Sequence, residues 1–447
     1  MEKDLKMKGL VMCLCAFAVF ANAQNITFED SNFKAALLSH SPAIDTNSDG
    51  EISQTEAAAV TNSLNVENKN ISSMQGIEYF TNVKYLQCGY NQITALDVSN
   101  NDALIWLICR NNMISTLDVS DKTTLTYINC GFNQLSALDV SNNINLTMLY
   151  CGSNHIETLS VSNNAALTQL YCDNNQLTAL DVSNNPALTT LSCGMNQFTT
   201  LDVTNNIALK DLDTRYSYIT TVDLSNNVAL EHLYSVGGQL QTLDLSNNPN
   251  LIYIYCEQNQ ISELNVSNCT SLKEFSCSGN QLTTLDVSNN TQLTHLYCFS
   301  NQLTSLYIKN GVTKTFNTNT NPFGAGYNFS NNPDLAYICV DEDFVQAAQN
   351  YVDTYSIGNN PEITSNCLMA TQEVSKNKIY IYPNPVKDVL IIQGSTLRQA
   401  QSDNARIYDI SGKLVKTFDG NSVNVSALQK GIYILNIDNQ SIKFIKE

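Results

Sequence analysis

A run of twelve residues from Asp45 to Glu56 carries oxygen-bearing groups at alternate positions. Asp45, Asn47 and Asp49 supply side-chain oxygens, and Glu56 adds a carboxylate that can bind through both of its oxygens. Calcium ions prefer about six to eight oxygen ligands of this kind. The spacing therefore predicts a calcium site. Its predicted ligands are Asp45, Asn47, Asp49, Glu51, Ser53 and Glu56.

The order of these residues resembles an EF-hand calcium loop. Gly50 stands where that loop turns sharply, Glu51 offers its backbone carbonyl, and Ser53 offers a hydroxyl or a bridging water. The resemblance implies bound calcium, and the alternative is a solvated acidic turn. Because calcium is abundant outside cells, a weak and permanently filled site suffices, so a structural role is favoured over signalling.

Two helical patterns flank the loop, over residues 33–38 and 56–64. The segment 24–78 lies immediately before a long array of repeats. The first repeat of such an array exposes its apolar core unless another segment covers it. We therefore predict that 24–78 is a small helical N-terminal cap.

The array consists of about eleven repeats of 21 residues over 79–310. Counted from a leucine such as Leu125, positions 1, 4, 6, 11, 14 and 16 are apolar. Alternation around position 5 indicates a strand, and 21 residues leave room only for an extended or short helical return path. One unit cannot bury its apolar face alone, so the pattern predicts a mainly β solenoid. Position 9 is asparagine in nine copies, at Asn91, Asn112, Asn133, Asn154, Asn175, Asn196, Asn259, Asn280 and Asn301.

The pattern L-x-x-L-x-C-x-x-N-x-L resembles the leucine-rich repeat, with cysteine in place of a strand leucine. Together with the flanking segments, it is similar to internalin-like repeat proteins secreted by Bacteroidetes. The family implies a parallel β-sheet on the concave face of a curved solenoid, used to bind another molecule. Asparagine at position 9 is predicted to satisfy backbone groups in the turn that leaves the strand.

Cysteine usage follows the repeat: nine of the 14 cysteines occupy position 6. Neighbours in adjacent parallel strands are close, but side chains packed side by side do not present the dihedral that a disulfide needs. We predict buried, reduced thiols, and not a metal site, which would need convergent ligands. The nine residues are Cys88, Cys109, Cys130, Cys151, Cys172, Cys193, Cys256, Cys277 and Cys298.

After the array, residues 311–367 read as a degenerate repeat with a C-terminal cap. Cys339 and Cys367 lie outside the cysteine row and bracket this segment. In an exported protein, two such cysteines are predicted to form a disulfide that seals the cap.

Ligand recognition is predicted on positions 3 and 5, which project from the concave face. Aromatic residues there are favourable contact groups, although β-strands favour aromatic residues in any case. The candidate ligand-binding residues are Tyr85, Trp106, Tyr127, Tyr150, Tyr171, His232, Tyr234, Tyr253, Tyr255 and Tyr297.

Position 15 is aspartate in most repeats and faces outward, so these carboxylates stack about 5 Å apart. Either neighbouring Ser and Asn donors and water relieve the repulsion, or cations bind between the repeats. Near 210–238 two repeats depart from the consensus, which indicates drift, a flexible joint or a binding spot.

Both ends of the chain carry export signals. Residues 1–23 read as a signal peptide, with lysines before a short apolar run and Ala-Asn-Ala before Gln24. After a linker at 368–378, alternating strands over 379–447 predict an antiparallel β-sandwich. Its Y-P-N-P, D-I-S-G-K and K-G-I-Y-I-L motifs are similar to the sorting domain of the type IX secretion system, which implies export to the outside or the cell surface. We predict no integral membrane segment.

The four histidines suggest no clear catalytic site, although His232 could reach Asp211 or Asp213 on the adjacent strand. We find no nucleophile elbow, phosphate loop or metalloprotease helix, and we predict that the protein is not an enzyme. The formal charge of −18 argues against nucleic acid and anionic membranes. The sequence favours an exported binding protein for an extracellular protein or polysaccharide; the alternatives are an adhesive surface layer and a sugar-capturing accessory to secreted hydrolases.

Overall fold

The computed structural model describes residues 24–317, 324, 326–358, 360–367, 380–382, 386–393, 405–409, 413–418, 422–437 and 440–447. The predicted signal peptide and linker lie outside these residues. Two compact units make up the chain. The first contains the solenoid up to Leu306 with residues 310–336 and 351–360, and the second contains residues 307–309, 337–350 and 361–447.

The N-terminal segment contains two helices and one strand. They are α1 (Ser31–Leu38), α2 (Gln54–Ala58) and β1 (Ser63–Asn65). The prediction of a helix over 56–64 is therefore wrong beyond Ala58. The chain turns out of the helix there because Leu64 is needed in β1. This strand pairs in parallel with the first repeat strand, and the Leu64 side chain is fully buried.

A parallel sheet of 13 strands begins with β1 and continues with twelve further strands; each repeat adds one strand in register with the last. The strands are β2 (Tyr85–Gln87), β3 (Trp106–Ile108), β4 (Tyr127–Asn129), β5 (Met148–Tyr150), β6 (Gln169–Tyr171), β7 (Thr190–Ser192), β8 (Asp211–Asp213), β9 (His232–Tyr234), β10 (Tyr253–Tyr255), β11 (Glu274–Ser276), β13 (His295–Tyr297) and β15 (Tyr327–Asn328). The return path is mostly irregular, with short strands β12 (Thr284–Asp286) and β14 (Ser305–Tyr307) in the last repeats. This confirms the predicted β-solenoid.

The core is a stack of identical layers. In the repeat at Leu125, residues Leu125, Ile128, Cys130, Leu135 and Val140 are fully buried. Successive layers bury the same positions, so the apolar surface of each repeat is covered by its two neighbours. The cysteines of the row are buried and free, and burial raises the pKa of the Cys88 and Cys130 thiols to about 12.

Two rows of asparagine side chains form hydrogen bonds with backbone groups in the turns. At position 9, Asn154 Nδ2 donates to Cys130 O (3.1 Å) and Cys151 O (3.0 Å), while its Oδ1 accepts from Leu135 N (3.0 Å). A second row at position 19 was not predicted: Asn164 Nδ2 donates to Val140 O (3.0 Å) and to an adjacent backbone carbonyl. Both rows connect backbone groups of adjacent repeats, so they stabilise the stacking.

One repeat has a lysine at position 19. Lys122 is 2% exposed, and its Nζ donates to Ser99 O (2.5 Å) and to Asp102 Oδ1 (2.6 Å). The ammonium thus has a backbone acceptor and a counter-ion, which a buried charge requires.

The second unit contains β16 (Tyr337–Cys339), β17 (Glu362–Thr364) and the C-terminal strands, and residues of α3 (Val345–Tyr355) belong to both units. Cys339 and Cys367 form a disulfide with Cα atoms 5.6 Å apart, and β16 and β17 pair in parallel.

The C-terminal strands are β18 (Tyr380–Tyr382), β19 (Val389–Gln393), β20 (Ala405–Asp409), β21 (Leu414–Phe418), β22 (Ser422–Asn424), β23 (Gly431–Ile437) and β24 (Gln440–Lys446). They form two antiparallel sheets, β18–β19–β22 and β21–β20–β23–β24.

Asp30 connects α1 to Ser72, near the end of the N-terminal segment. Its Oδ1 caps the helix by accepting from Asn32 N (2.7 Å) and Phe33 N (3.0 Å), and its Oδ2 accepts from Ser72 N (2.7 Å) and Ser72 Oγ (2.6 Å). Burial alone would raise the pKa of Asp30, but these hydrogen bonds outweigh it and lower the pKa to about 2. The ionised carboxylate therefore stabilises the N-terminal segment.

We predict that Asp30→Asn lowers the free energy of unfolding by about 1–3 kcal/mol near neutral pH. Because the folded pKa lies below the ordinary value of 3.8, this stabilisation is complete above about pH 4 and is lost as the pH falls towards 2. Urea unfolding of the two proteins from about pH 7 to 2 checks this. The exposed neighbour Glu29→Gln is the control, and a stability difference independent of pH would contradict the prediction.

Candidate functional site

The predicted calcium loop is curled by its own side chains. Asp45 accepts from the amides of Asp49 (3.2 Å) and Gly50 (3.0 Å), and Asn47 Oδ1 accepts from Asp49 N (2.9 Å). Gly50 has a φ of 79°, a left-handed conformation that favours glycine. Ile52, which follows the loop's turn, is fully buried. These hydrogen bonds make residues 45–50 a compact turn.

Both carboxylate oxygens of Glu56 accept hydrogen bonds from other residues of the loop. Its Oε2 accepts from Ser53 N and Ser53 Oγ (both 2.9 Å) in a capping box at the start of α2, and its Oε1 accepts from Thr46 N (2.8 Å). Burial raises the pKa of Glu56, but the hydrogen bonds from Ser53 and Thr46 outweigh it and lower the pKa to about 2. In the described part of the chain, no three His, Cys, Asp or Glu side chains converge as a metal site.

The aromatic residues of the first repeats form one continuous row of ring contacts on the sheet, which we call the ring ladder. Ring centroids are 5.0 Å apart for Tyr85 and Trp106, 5.8 Å for Trp106 and Tyr127, 5.5 Å for Tyr127 and Tyr150, and 4.4 Å for Tyr150 and Tyr171. The first three pairs meet edge to face and the last pair is stacked. Trp106 is 40% exposed, whereas the four tyrosines are half-buried.

A second group of rings lies farther along the sheet. His232 stacks on Tyr253 (5.1 Å) and Tyr234 stacks on Tyr255 (5.4 Å). His232 Nδ1 also forms a short hydrogen bond with Asp211 Oδ1 on the adjacent strand, so the predicted approach of these two residues occurs. Burial raises the pKa of the Tyr234 hydroxyl. The two groups are separated by strands β7 and β8, which carry no rings.

Tyr297 does not belong to either exposed group. It is only 3% exposed, and its hydroxyl donates to Gly324 O (3.0 Å) in the segment that follows β14. The repeat pattern placed it on the open face, but the pattern ends at residue 310 and gives no information on how the next segment folds. We therefore leave Tyr297 out of the candidate binding surface.

Asp213 forms an ion pair with Arg215 and does not bond to His232. Arg215 Nη2 and Nε bind the Asp213 carboxylate at 2.6 and 3.0 Å, and the guanidinium lies 5.7 Å from the Tyr234 ring centroid. Asp173 lies nearby: burial raises its pKa, and Ser192 Oγ donates to its Oδ1 (3.2 Å). The region between the two groups of rings is thus polar and acidic.

The aspartates at position 15 have local donors. Asp139 Oδ1 accepts from Ser141 N (2.9 Å), and Asp202 accepts from the amide (2.9 Å) and hydroxyl (2.7 Å) of Thr204. The hydrogen bond from the Ser141 amide lowers the pKa of Asp139, and the hydrogen bond from the Thr204 hydroxyl lowers the pKa of Asp202. Hydroxyl-bearing neighbours two residues on therefore stabilise the charged row.

A further row at position 8 was missed by the sequence reasoning. Tyr90, Phe132, Met195 and Tyr216 are 47, 61, 48 and 50% exposed, and all have φ between 52° and 56°. Left-handed backbone costs bulky residues about 1–2 kcal/mol each. The signal was present in the sequence, since position 8 contains Gly or Asn in other repeats, such as Gly279.

Comparison with known proteins identifies the C-terminal domain and the solenoid separately. Residues 380–447 match the family model of the secretion system C-terminal sorting domain. The functional domain of InlJ from Listeria monocytogenes, which includes a cysteine ladder, is 25% identical, with a TM-score of 0.59 over 95% of this chain and 100% of that chain. No curated protein matches the chain.

Two further solved structures share the fold. An internalin, InlF, from Listeria monocytogenes is 26% identical, with a TM-score of 0.57 over 63% of this chain and 89% of that one. A leucine-rich-repeat protein of Leptospira interrogans is 18% identical, with a TM-score of 0.54 over 67% of this chain and 83% of that one, and shows the fold alone. Within the described residues, no helix has the length and hydrophobicity needed to span a bilayer.

The sorting domain directs proteins through the type IX secretion system, so the predicted export to the outside or the cell surface is confirmed. The match also confirms the secretion machinery as a partner of the C-terminal residues. The chain is an exported leucine-rich-repeat protein with an internalin-like solenoid and a C-terminal type IX sorting domain.

Proposed function

We propose that the solenoid is a non-enzymatic scaffold that binds an extracellular protein or polysaccharide through the ring ladder. The observation that carries this proposal is the unbroken series of five rings from Tyr85 to Tyr171, with Trp106 40% exposed in its centre. Aromatic rings provide a large apolar contact area for little loss of side-chain entropy, and Tyr and Trp are the commonest anchors of binding sites.

The ring ladder could also serve only to stabilise the sheet, and the experiment must distinguish this role from ligand binding. Aromatic pairs on adjacent strands stabilise a sheet by about 0.2–1 kcal/mol each. That contribution accounts for edge-to-face contacts between Tyr85, Trp106 and Tyr127. It gives no reason for leaving the largest ring exposed, since an indole gains free energy when it is buried.

The polar part of the same surface supports a binding role over a catalytic one. His232 is hydrogen-bonded to Asp211 and stacks on Tyr253, so its imidazole is held by contacts within the sheet. The cysteine thiols are buried, and burial raises the pKa of Cys130 to about 12, so they are poor nucleophiles. An adhesive surface layer and a sugar-capturing accessory remain the alternative functions, and both use the same exposed rings.

We predict that ligand binding changes the fluorescence of Trp106, which is the single tryptophan in the chain. Titration with polysaccharides and extracellular proteins should give a saturable change for one class of ligand. Tyr127→Ala should weaken that binding by about tenfold, which corresponds to roughly 1.4 kcal/mol. Tyr255→Ala, in the second group of rings, is the matched control.

If Tyr127→Ala leaves the ligand-induced change in Trp106 fluorescence and its midpoint unaltered, a site on the ring ladder is contradicted. Silence of Trp106 for every ligand, together with negative pull-down assays, would favour the surface-layer alternative. Tm is measured for each variant, so that loss of folding is distinguished from loss of contact.

We also propose that the loop from Asp45 to Glu56 binds calcium as a structural ion. Support comes from the oxygen-rich donor set and from the turn that Gly50 makes with the Asp45 carboxylate. Because three acidic side chains do not converge in the described residues, calcium would draw Asp45, Asp49 and Glu56 together as it binds. The ion would then stiffen the cap over the first repeat.

For the calcium proposal we predict a higher Tm in excess calcium than in EDTA. A ligand at about 100 times its Kd adds roughly 2.7 kcal/mol to the stability of the state that binds it. Asp49→Ala should abolish the shift. Glu51→Ala should retain it, because Glu51 would ligate through its backbone carbonyl while its side chain pairs with Lys34 (2.6 Å). Equal Tm values in calcium and EDTA would contradict the proposal.

A further inference from the structure

The row at repeat position 8 forms a second exposed surface, which we call the rim. It contains Tyr90, Phe132, Met195 and Tyr216, each about half exposed or more. Position 8 lies three residues beyond the end of each strand, whereas the ring ladder occupies positions 3 and 5. The rim is therefore distinct from the surface of the proposed function.

The backbone of position 8 is fixed by the stacking of the repeats. Phe132 N donates to Gly152 O (2.9 Å), and Phe132 O accepts from Asn112 N (3.2 Å), and Tyr90 N donates in the same way to Arg110 O (2.9 Å). The fold thus imposes a positive φ on whichever residue stands there. Asn111 and Asn174 adopt the same conformation, which asparagine tolerates well.

Bulky rim residues therefore bring two disadvantages. They strain the backbone where asparagine or glycine would not, and they leave large apolar groups in water. Phe132 is the clearest case, with a φ of 56° and 61% exposure. The stacking of the repeats explains the positive φ, but it does not explain why a large apolar ring stands there, and this choice of residue points to contact with a ligand.

The neighbours of the rim define the chemistry of its ligand. Across the eleven repeats, positions 8 and 10 contain no Asp, Glu, Lys or Arg, and position 10 is mostly glutamine, as in Gln92 and Gln134. Arg110 approaches the rim, but its guanidinium lies over the Tyr90 ring at 4.7 Å. The rim offers rings and amides, and an amide can both donate to and accept from a hydroxyl.

We propose that the rim binds a neutral polysaccharide. Tyr90 and Phe132 stack on sugar rings, and Gln92 and Gln134 hydrogen-bond to the hydroxyl groups. A charged polymer would find no counter-charges at these positions, and a polyanion would be repelled by the net charge of −18. Tyr90 and Phe132 are two repeats apart, or about 10 Å along the sheet. Glutamine recurs at position 10 in most repeats, so an extended polymer can meet several amides in succession along the array.

The test measures binding of the purified full chain to cellulose, xylan, starch and a β-1,3-glucan by pull-down and affinity electrophoresis. The double variant Tyr90→Asn/Phe132→Asn places at both positions a residue that the chain itself uses at Asn111 and Asn174. We expect at least one polysaccharide to bind the unmodified protein. The affinity of the double variant for that polysaccharide should be lower by about tenfold or more. The Tm of the variant should equal or exceed that of the unmodified protein.

Ile144→Asn is the matched control, because Ile144 is 59% exposed but lies at position 20. Its binding should equal that of the unmodified protein. Failure of all four polysaccharides to bind, unchanged binding by the double variant, or a lower Tm for that variant would each overturn the rim proposal. Loss of binding in Trp106→Ala but not in the rim variant would assign the sugar to the ring ladder, which overturns the rim proposal and leaves the proposed function standing.

Discussion

The structure depends on a hydrogen-bonding constraint: a repeat of 21 residues cannot satisfy its own backbone. Its strand has three residues, and its turn leaves carbonyl and amide groups buried without partners in the same repeat. Asn154 resolves this by bonding the carbonyls of Cys130 and Cys151 and the amide of Leu135. An unpaired buried group costs about 1–3 kcal/mol, so each position-9 asparagine is needed by two repeats at once.

This arrangement leaves the outward positions free to vary. Once the asparagine and cysteine rows fix the layers, positions 3, 5, 8 and 10 carry little of the folding energy and can serve recognition. The exposed Trp106 and the strained, exposed Phe132 both occupy such positions. Export to the cell exterior gives these surfaces access to extracellular ligands.

The 21-residue period predicted much of the solenoid, although the asparagine row at position 19 also repeats and was not predicted. The parallel sheet, the buried cysteines and the approach of His232 to Asp211 follow from the 21-residue spacing, because register brings equivalent positions together. Features outside the period were not predictable. Helix α2 ends at Ala58 because strand pairing of Leu64 outweighs local helix propensity, and Tyr297 is covered by a non-repetitive segment. Glycine and asparagine at position 8 of some repeats indicated a left-handed backbone, but the strain on Tyr90 and Phe132 was seen only in their φ angles.

The most direct test of the account is native-state hydrogen exchange of the position-11 amides. The amides of Leu135 and Leu177 donate to the Oδ1 atom of the position-9 asparagine in the next repeat. For Phe198 and Ile219, position 9 of the next repeat is Ser217 and Gly238, so this acceptor is missing. If the asparagine row holds the repeats together, Phe198 and Ile219 exchange about tenfold faster or more than the other position-11 amides. Equal protection of all these amides would contradict the account.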